Sequence, residues 1–480
     1  MRVLLLILSG LLLTVISGCK QAKTDCSSLL KQARAEFDAG NFARVRILTD
    51  SLNSVCPCKN HLILKADSLS LIAERIELDF SFSENKIDSQ LKNIIGTYSK
   101  EDKENWETKK WLEYKMINGE KHYFRRAAAN LDTLLGFYFH RARRDTLEAR
   151  DPELVFRKKN VRKIIEESGC KSIPVVPVEM IINYNITVHP DAVPSGEIIR
   201  CWLPYPKASY PRQQNIILLS ASQKDFIISP DSATHSTIYM EAVAEKGLQV
   251  KFSVSFSYLS SGQFFDMDRI KILPYDKTSK NYKEYTSEQL PHICFSQEVR
   301  YLADSLAGRE ENPLEIVRRF YYWFTENIPW TGALEYSTMP NIPEYVIKNM
   351  RGDCGMQTFL IMSMLRYKGI PVRWQSGWMV PPTGKNLHDW CEVYYEGTGW
   401  VPLDVSYGLQ YSDDLKTKEF YISGIDSYRL IINDGVTGRL YPEKKFLRSE
   451  PFDFQRGEVE WSGGNLYFDK WDYNMEIIYN

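Results

Sequence analysis

Two stretches hold residues whose types and spacing could do covalent chemistry: "RGDCGMQTFLIMSMLRYKGIPVR" (351–373) and "HDWCEVYYEGTGWVPLD" (388–404). A cysteine attacks only as thiolate, and a free thiol has a pKa around 8.5. After Cys354, the residues Met356, Phe359, Leu360, Met362, Met364 and Leu365 predict a helix buried on most of its surface. Gly369-Ile370-Pro371 ends it, because Gly supplies a left-handed cap and Pro forbids continuation. Cys354 therefore falls on a first helical turn, where unpaired N–H groups and the positive end of the helix dipole favour an anion. The same N–H groups can hold an oxyanion during acyl transfer. Asp353 beside the sulfur would raise the thiol pKa if it faced it, and would be harmless as a helix cap facing away.

A nucleophile needs a base, and the base needs an orienting partner. His388 is the one histidine downstream of Cys354. It opens a predicted strand on which His388, Trp390 and Glu392 share one face while Asp389, Cys391 and Val393 share the other. Gly397-Thr398-Gly399 predicts a tight turn into a strand carrying Asp404. A hairpin there would set Asp404 beside His388, where it could accept the second imidazole N–H and fix the tautomer. Upstream, "NPLEIVRRFYYWFTENIPW" reads as a helix from the Asn312 cap to Asn327-Ile328-Pro329.

The ordered anchors Gly352, Cys354, Gly369, Ile370, Pro371, Arg373, His388, Trp390, Glu392, Gly399, Trp400 and Asp404 resemble the pattern of the transglutaminase-like superfamily, whose core is similar to papain-type proteases. The resemblance implies Cys354 as nucleophile, His388 as general base then acid, and Asp404 as orienting carboxylate. It also implies an upstream donor to the oxyanion, for which Trp330 or Tyr336 could serve. Trp390 is, with Trp330, a candidate for oxyanion or substrate binding, although Arg373 and Trp390 better suit support of the fold at the flank of the site. The implied activity is attack on an amide through a thioester, with water as the favoured acceptor (peptidase or amidase). A crosslinking transferase and an inactive surface binding or scaffold protein remain alternatives. No cofactor is called for. The animal crosslinking members use calcium, but Asp413-Asp414 is too little for a calcium loop.

The whole chain reads as a multidomain α+β protein. Residues 1–18 form a signal peptide, 19–172 a helical domain, 173–262 a β-sandwich, 263–430 the papain-like catalytic core, and 431–480 a β-rich extension. The sandwich expectation rests on alternation in "VEMIINYNITVHP" and "LQVKFSVSFSYLS". Acid and base nearly cancel, with a net charge of −1, so no field exists to collect nucleic acid. The expected partners are a peptide or protein amide and a membrane. "MRVLLLILSGLLLTVISGC" is a secretory signal, and Ile16-Ser17-Gly18-Cys19 resembles the bacterial lipobox. That implies acylation of Cys19 and an extracytoplasmic, membrane-anchored protein, since each buried CH₂ contributes on the order of 0.8 kcal/mol. Of the nine cysteines, Cys56 or Cys58 is free to bridge Cys26, and Cys391 reads as a plain buried thiol.

Overall fold

The computed structural model describes residues 25–56, 60–139, 151–169 and 171–479. The signal segment, Cys19, Cys58 and Cys170 lie outside these residues. The chain divides into two compact units, one ending at Leu78 and taking back Met116–Lys121, the other Asp79–Lys115 with His122–Asn480. In the first unit, α1 (Cys26–Asp38) and α2 (Phe42–Val55) are tied by a Cys26–Cys56 disulfide. That resolves which of the two neighbouring cysteines bridges Cys26. Gly40, at φ +77°, links these helices, and a Cβ there would stand 2.2 Å from the Met116 carbonyl oxygen. Most of α3 (Asn60–Asp79) completes this unit.

The second unit opens with α4 (Glu84–Ile94) and α5 (Lys100–Thr108). A hairpin of β1 (Tyr114–Ile117) and β2 (Glu120–Tyr123), whose middle Met116–Lys121 belongs to the first unit, precedes α6 (Ala127–Phe139), and α7 (Pro152–Ser168) follows. The expected helical domain 19–172 is therefore not one body. Val161 and Ile164 of α7 are buried in the same apolar core as the helix Cys354–Tyr367, which ties α7 to what comes after it.

The sandwich strands are β3 (Val175–Val188), β4 (Ile198–Pro204), β5 (Gln213–Ala221), β6 (Phe226–Ile228), β7 (Thr237–Val243) and β8 (Val250–Phe264). Met180, Ile182, Tyr184, Ile186 and Val188 point inward from β3, as the two-residue period requires. The core helices are α8 (Lys280–Tyr285), α9 (Gln297–Ala307), α10 (Pro313–Asn327), α11 (Ile342–Asn349) and α12 (Cys354–Tyr367). Then come β9 (Val372–Met379), β10 (Asn386–Tyr395) and β11 (Gly399–Leu403), short helices α13 (Leu415–Lys418) and α14 (Phe420–Ser423), β12 (Gly424–Ile425) and β13 (Arg429–Asn433). The sheet beside α12 runs β11-β10-β9-β13, all antiparallel. Every residue of α12 from Cys354 to Arg366 is buried. Gly369 closes the helix at φ +73°.

The expected C-terminal extension is not a separate layer. β14 (Glu458–Trp461) pairs with β4 and with β15 (Gly464–Leu466), giving the order β15-β14-β4-β7-β6. β16 (Trp471–Tyr479) runs along β3 from Trp471 opposite Val188 to Tyr479 opposite Met180, in the sheet β12-β8-β3-β16. The sandwich of 173–262 is thus closed by residues more than two hundred positions later, which give the β3 and β4 edges their ladder partners. Among the described residues no helix is long and apolar enough to cross a membrane. Trp471 is 2 % exposed and donates its indole N–H to the Leu466 carbonyl at 3.0 Å. Trp471→Ala should cost about 3–5 kcal/mol, read as a lower urea midpoint for the main transition. An unchanged midpoint would mean that the tail folds independently.

Candidate active site

Asp353 caps α12: its Oδ1 accepts the Met356 N–H at 3.0 Å and the Tyr336 hydroxyl at 2.6 Å. The position after Cys354 must stay bare, because a Cβ on Gly355 would stand 2.1 Å from the Tyr336 oxygen and 2.7 Å from Asp389 Oδ2. Backbone bonds from Thr331 N–H to Gly352 O (3.1 Å) and from Gly352 N–H to Pro329 O (3.3 Å) bring Trp330 alongside. Trp330, Tyr336, Asp353 and Cys354 share the walls of a cleft of about 270 Å³ with Asp389 and Asp453.

The Cys354 thiol donates to Asp389 Oδ2 at 3.3 Å. Burial, then the Asp389 and Asp353 charges, push this thiol well above the ordinary range. A helix N-terminus contributes at most about 2 kcal/mol to an anion, whereas full burial moves a pKa by up to roughly 3–5 units. Burial wins, and the resting thiol is neutral. Asp389 is itself pushed far up, by burial and by the nearby Asp453 and Asp353 carboxyls. Gln455 Nε2 donates to Asp389 Oδ1 at 2.8 Å, and the Ser376 hydroxyl donates to Asp453 Oδ1 at 2.5 Å. Burial raises Asp453 as well, so the two carboxyls hold a proton between them rather than both ionising. Burial likewise drives Asp353 to about 6 and Glu450, on the same cleft, to about 8.

On the opposite face of β10, His388 Nε2 and Asp404 Oδ2 are 2.7 Å apart. Burial pushes the Asp404 carboxyl upward, but His388 and the Arg429 guanidinium outweigh it and hold the group below its usual range. Arg429 Nη1 is 2.9 Å from Asp404 Oδ2, and its Nη2 is 2.8 Å from Asp426 Oδ2. Burial lowers the His388 pKa, so the ring is neutral while Asp404 is charged. A carboxylate only accepts, so Nε2 carries the proton and Nδ1 keeps its lone pair, as a general base requires. The imidazole is braced by Tyr407, edge-on at 5.1 Å, and by Trp390 at 5.9 Å.

Residues 300–405 match the sequence profile of the transglutaminase-like superfamily. This segment is a transglutaminase-like domain. Over 214 residues the chain is 23 % identical to the uncharacterized protein YebA of Bacillus subtilis (strain 168), a stretch spanning 40 % of this chain and 28 % of that protein. The chain therefore spans less than a third of that relative's length. Among solved structures it is similar to a candidate cysteine protease from Cytophaga hutchinsonii (15 % identity, TM-score 0.44, 64 % of this chain and 92 % of that one). It is also similar to the periplasmic domain of TgpA from Pseudomonas aeruginosa (16 % identity, TM-score 0.25, 51 % and 91 %).

Within the transglutaminase-like domain and its surroundings, the structure joins His388 to Asp404 as the hairpin reading expected. Among the described residues, the hydrogen-bond partner of the Cys354 sulfur is Asp389, and no hydrogen bond links the sulfur to the His388 ring. Trp330 is 40 % exposed at the cleft, whereas the Tyr336 hydroxyl is spent on Asp353. Trp390 does not fit the expected part in oxyanion or substrate binding. It is fully buried and donates its N–H to Gln375 Oε1 at 2.7 Å, because its strand position turns it away from α12 and the cleft. Arg373 pairs with Glu392 at 2.6 Å and lies over Trp400. Sequence reading missed Arg429, Asp426, Tyr407, Asp453 and Gln455, which reach the site from outside both motifs and carry no local signal. Asp389 was legible as a neighbour of His388 on the other face, but its contact with the sulfur was not.

Two pH effects follow. Asp389→Asn removes a charge that raises the thiol, so the pH midpoint of Cys354 alkylation should fall below the wild-type value in stopped alkylation assays with mass readout. Glu450 titrates near 8 when folded but near 4.5 in its ordinary state. The unfolded chain thus loses this proton first, and the native state loses stability as pH rises between those values. Glu450→Gln should flatten that fall between pH 5 and 8 in urea titrations.

Proposed function

We propose that the protein is a membrane-tethered, extracytoplasmic thiol hydrolase of amide bonds, a peptidase or amidase. The reading rests on one observation: Cys354 stands on the first turn of a buried helix and faces a cleft, next to the strand that carries a hydrogen-bonded His388–Asp404 pair. An amide entering the cleft takes the place of the Sγ–Asp389 contact. For the thiol proton to reach His388 Nδ1, the ring, which stands on the far face of β10 at rest, has to turn towards the cleft as the sulfur adds to the carbonyl carbon. First-turn N–H groups of α12 and Trp330 stand around the resulting oxyanion. Breakdown expels the amine, which carries off the proton from His388, and leaves a thioester. Water, losing a proton to His388, releases the acid and restores the thiol. Asp404, held charged by Arg429, keeps Nε2 protonated throughout. The tether is the acylated Cys19 that the lipobox-like segment implies.

One observation favours a second reading. The sulfur is hydrogen-bonded to Asp389 and its pKa is raised, as would suit a binding protein with a silent thiol.

The test incubates the chain beginning after Cys19, and its Cys354→Ala partner, with a mixed peptide pool and a primary amine, reading product masses. Shortened peptides from the wild type alone are expected. Amine-tagged glutamines would mean a transferase. A pool untouched by both proteins would favour the binding reading. Cys354→Ala and His388→Ala should each lose on the order of 10⁴–10⁶ in kcat, and Asp404→Asn less.

A further inference from the structure

The cleft that holds Cys354 has walls contributed from far upstream. Residues of the helical segment reach it directly: Arg125 and Arg126, just before α6, line it together with Arg456 from the C-terminal part. Two of these three cations are committed. Arg456 Nη2 lies 2.5 Å from Glu335 Oε2, and Arg125 lies 3.2 Å from Glu335 Oε1 and 3.4 Å from Asp79 Oδ1. Arg126 is exposed and has no hydrogen-bond or ion-pair partner among the described residues.

The carboxyls of the same cleft do not offer it one. Asp353 caps α12 and accepts from Tyr336, while Glu458 Oε2 and Oε1 accept the Ser449 and Glu450 N–H groups at 2.9 Å each. Asp389 and Asp453 hold a proton between them, and Glu450 keeps its own to about pH 8.

The guanidinium is also positioned. The Arg126 side chain lies against Gly332, where an added Cβ would stand 2.8 Å from Nε and 2.9 Å from Cδ. Gly332 is clamped by the buried Asn130, whose Oδ1 accepts the Gly332 N–H at 2.8 Å and whose Nδ2 donates to the Gly332 carbonyl at 2.9 Å. The charge reaches as far as Asp353, the neighbour of the nucleophile. An unpaired, backbone-supported arginine at the edge of a reactive cleft matches a carboxylate, which it can grip with two parallel hydrogen bonds.

We propose that Arg126 is the carboxylate-binding subsite of this cleft, so that the substrate class is amides carrying a free carboxylate near the scissile bond. The proposal rests on Cys354 being the nucleophile.

The test uses two alkylating probes, iodoacetyl-glycine and its uncharged counterpart iodoacetyl-glycinamide, on the folded chain. In each reaction a carbon–sulfur bond forms, carbon–iodine breaks, iodide leaves and the thiol proton goes to solvent. The ratio of the two rates cancels the thiol pKa and reports the carboxylate alone. The wild type should favour the charged probe by about tenfold at low salt, the scale of one charge-assisted contact. The ratio should fall towards one in Arg126→Ala and in Gly332→Ala, whose methyl displaces the guanidinium, and stay intermediate in Arg126→Lys. A ratio unmoved by Arg126→Ala overturns the subsite while leaving the thiol enzyme standing. Failure of both probes to alkylate Cys354 at every pH at which the chain stays folded, including above 9, overturns the nucleophile and the subsite together.

Discussion

The burial of α12 is the constraint on which the rest depends. A helix covered on every side from Cys354 to Arg366 can present chemistry only at an end, and its C-terminal end is closed by the Gly369 turn. Its covering includes Val299 and Ala303 of α9, Phe320 and Phe324 of α10, and Val393 and Leu403 of the β11-β10-β9-β13 sheet. Each buried Leu, Met or Phe contributes roughly 1.5–3 kcal/mol, so the helix is held rigidly and its first turn with it. That rigidity fixes the place of Cys354 without any loop having to be ordered.

Electrostatics then divides the site in two. On the α12 side of β10, carboxyls crowd together in little water. They avoid mutual repulsion by keeping protons or by accepting N–H and O–H groups. On the other side, Arg429 supplies the positive charge that lets Asp404 remain ionised in full burial, with Asp426 balancing the rest of the guanidinium. Removing one member of such a set leaves an uncompensated buried charge, which is far costlier than the net worth of the set itself. The neutral thiol and the neutral imidazole are therefore two consequences of burial, acting on groups of opposite charge type.

The cleft is assembled from three distant stretches of chain. The segment beginning at Asp79 supplies Arg125, Arg126 and the Asn130 clamp; the core supplies α12 and β10; the last forty residues supply Arg456 and close the sandwich. Glu335 shows the convergence, since Arg125 and Arg456 both bind its carboxylate and Asp79 Oδ2 accepts its backbone N–H at 2.8 Å.

The sequence by itself determined what depends on near neighbours in the chain. The buried helix and its capped ends, the alternating strands, the hairpin that brings Asp404 to His388 and the family pattern all follow from periodicity, turn residues and motifs. These are local, because a helix or hairpin is set by residues a few positions apart. Tertiary structure alone decided which edge β16 would join, since a strand's hydrogen-bonding groups are the same whatever its partner. It alone decided that Asp389 rather than His388 holds the sulfur, that Trp390 turns away from the cleft, and that Arg429 charges Asp404. Burial and counter-charge are properties of a place in space, and the residues that create that place are scattered from Asp79 to Arg456.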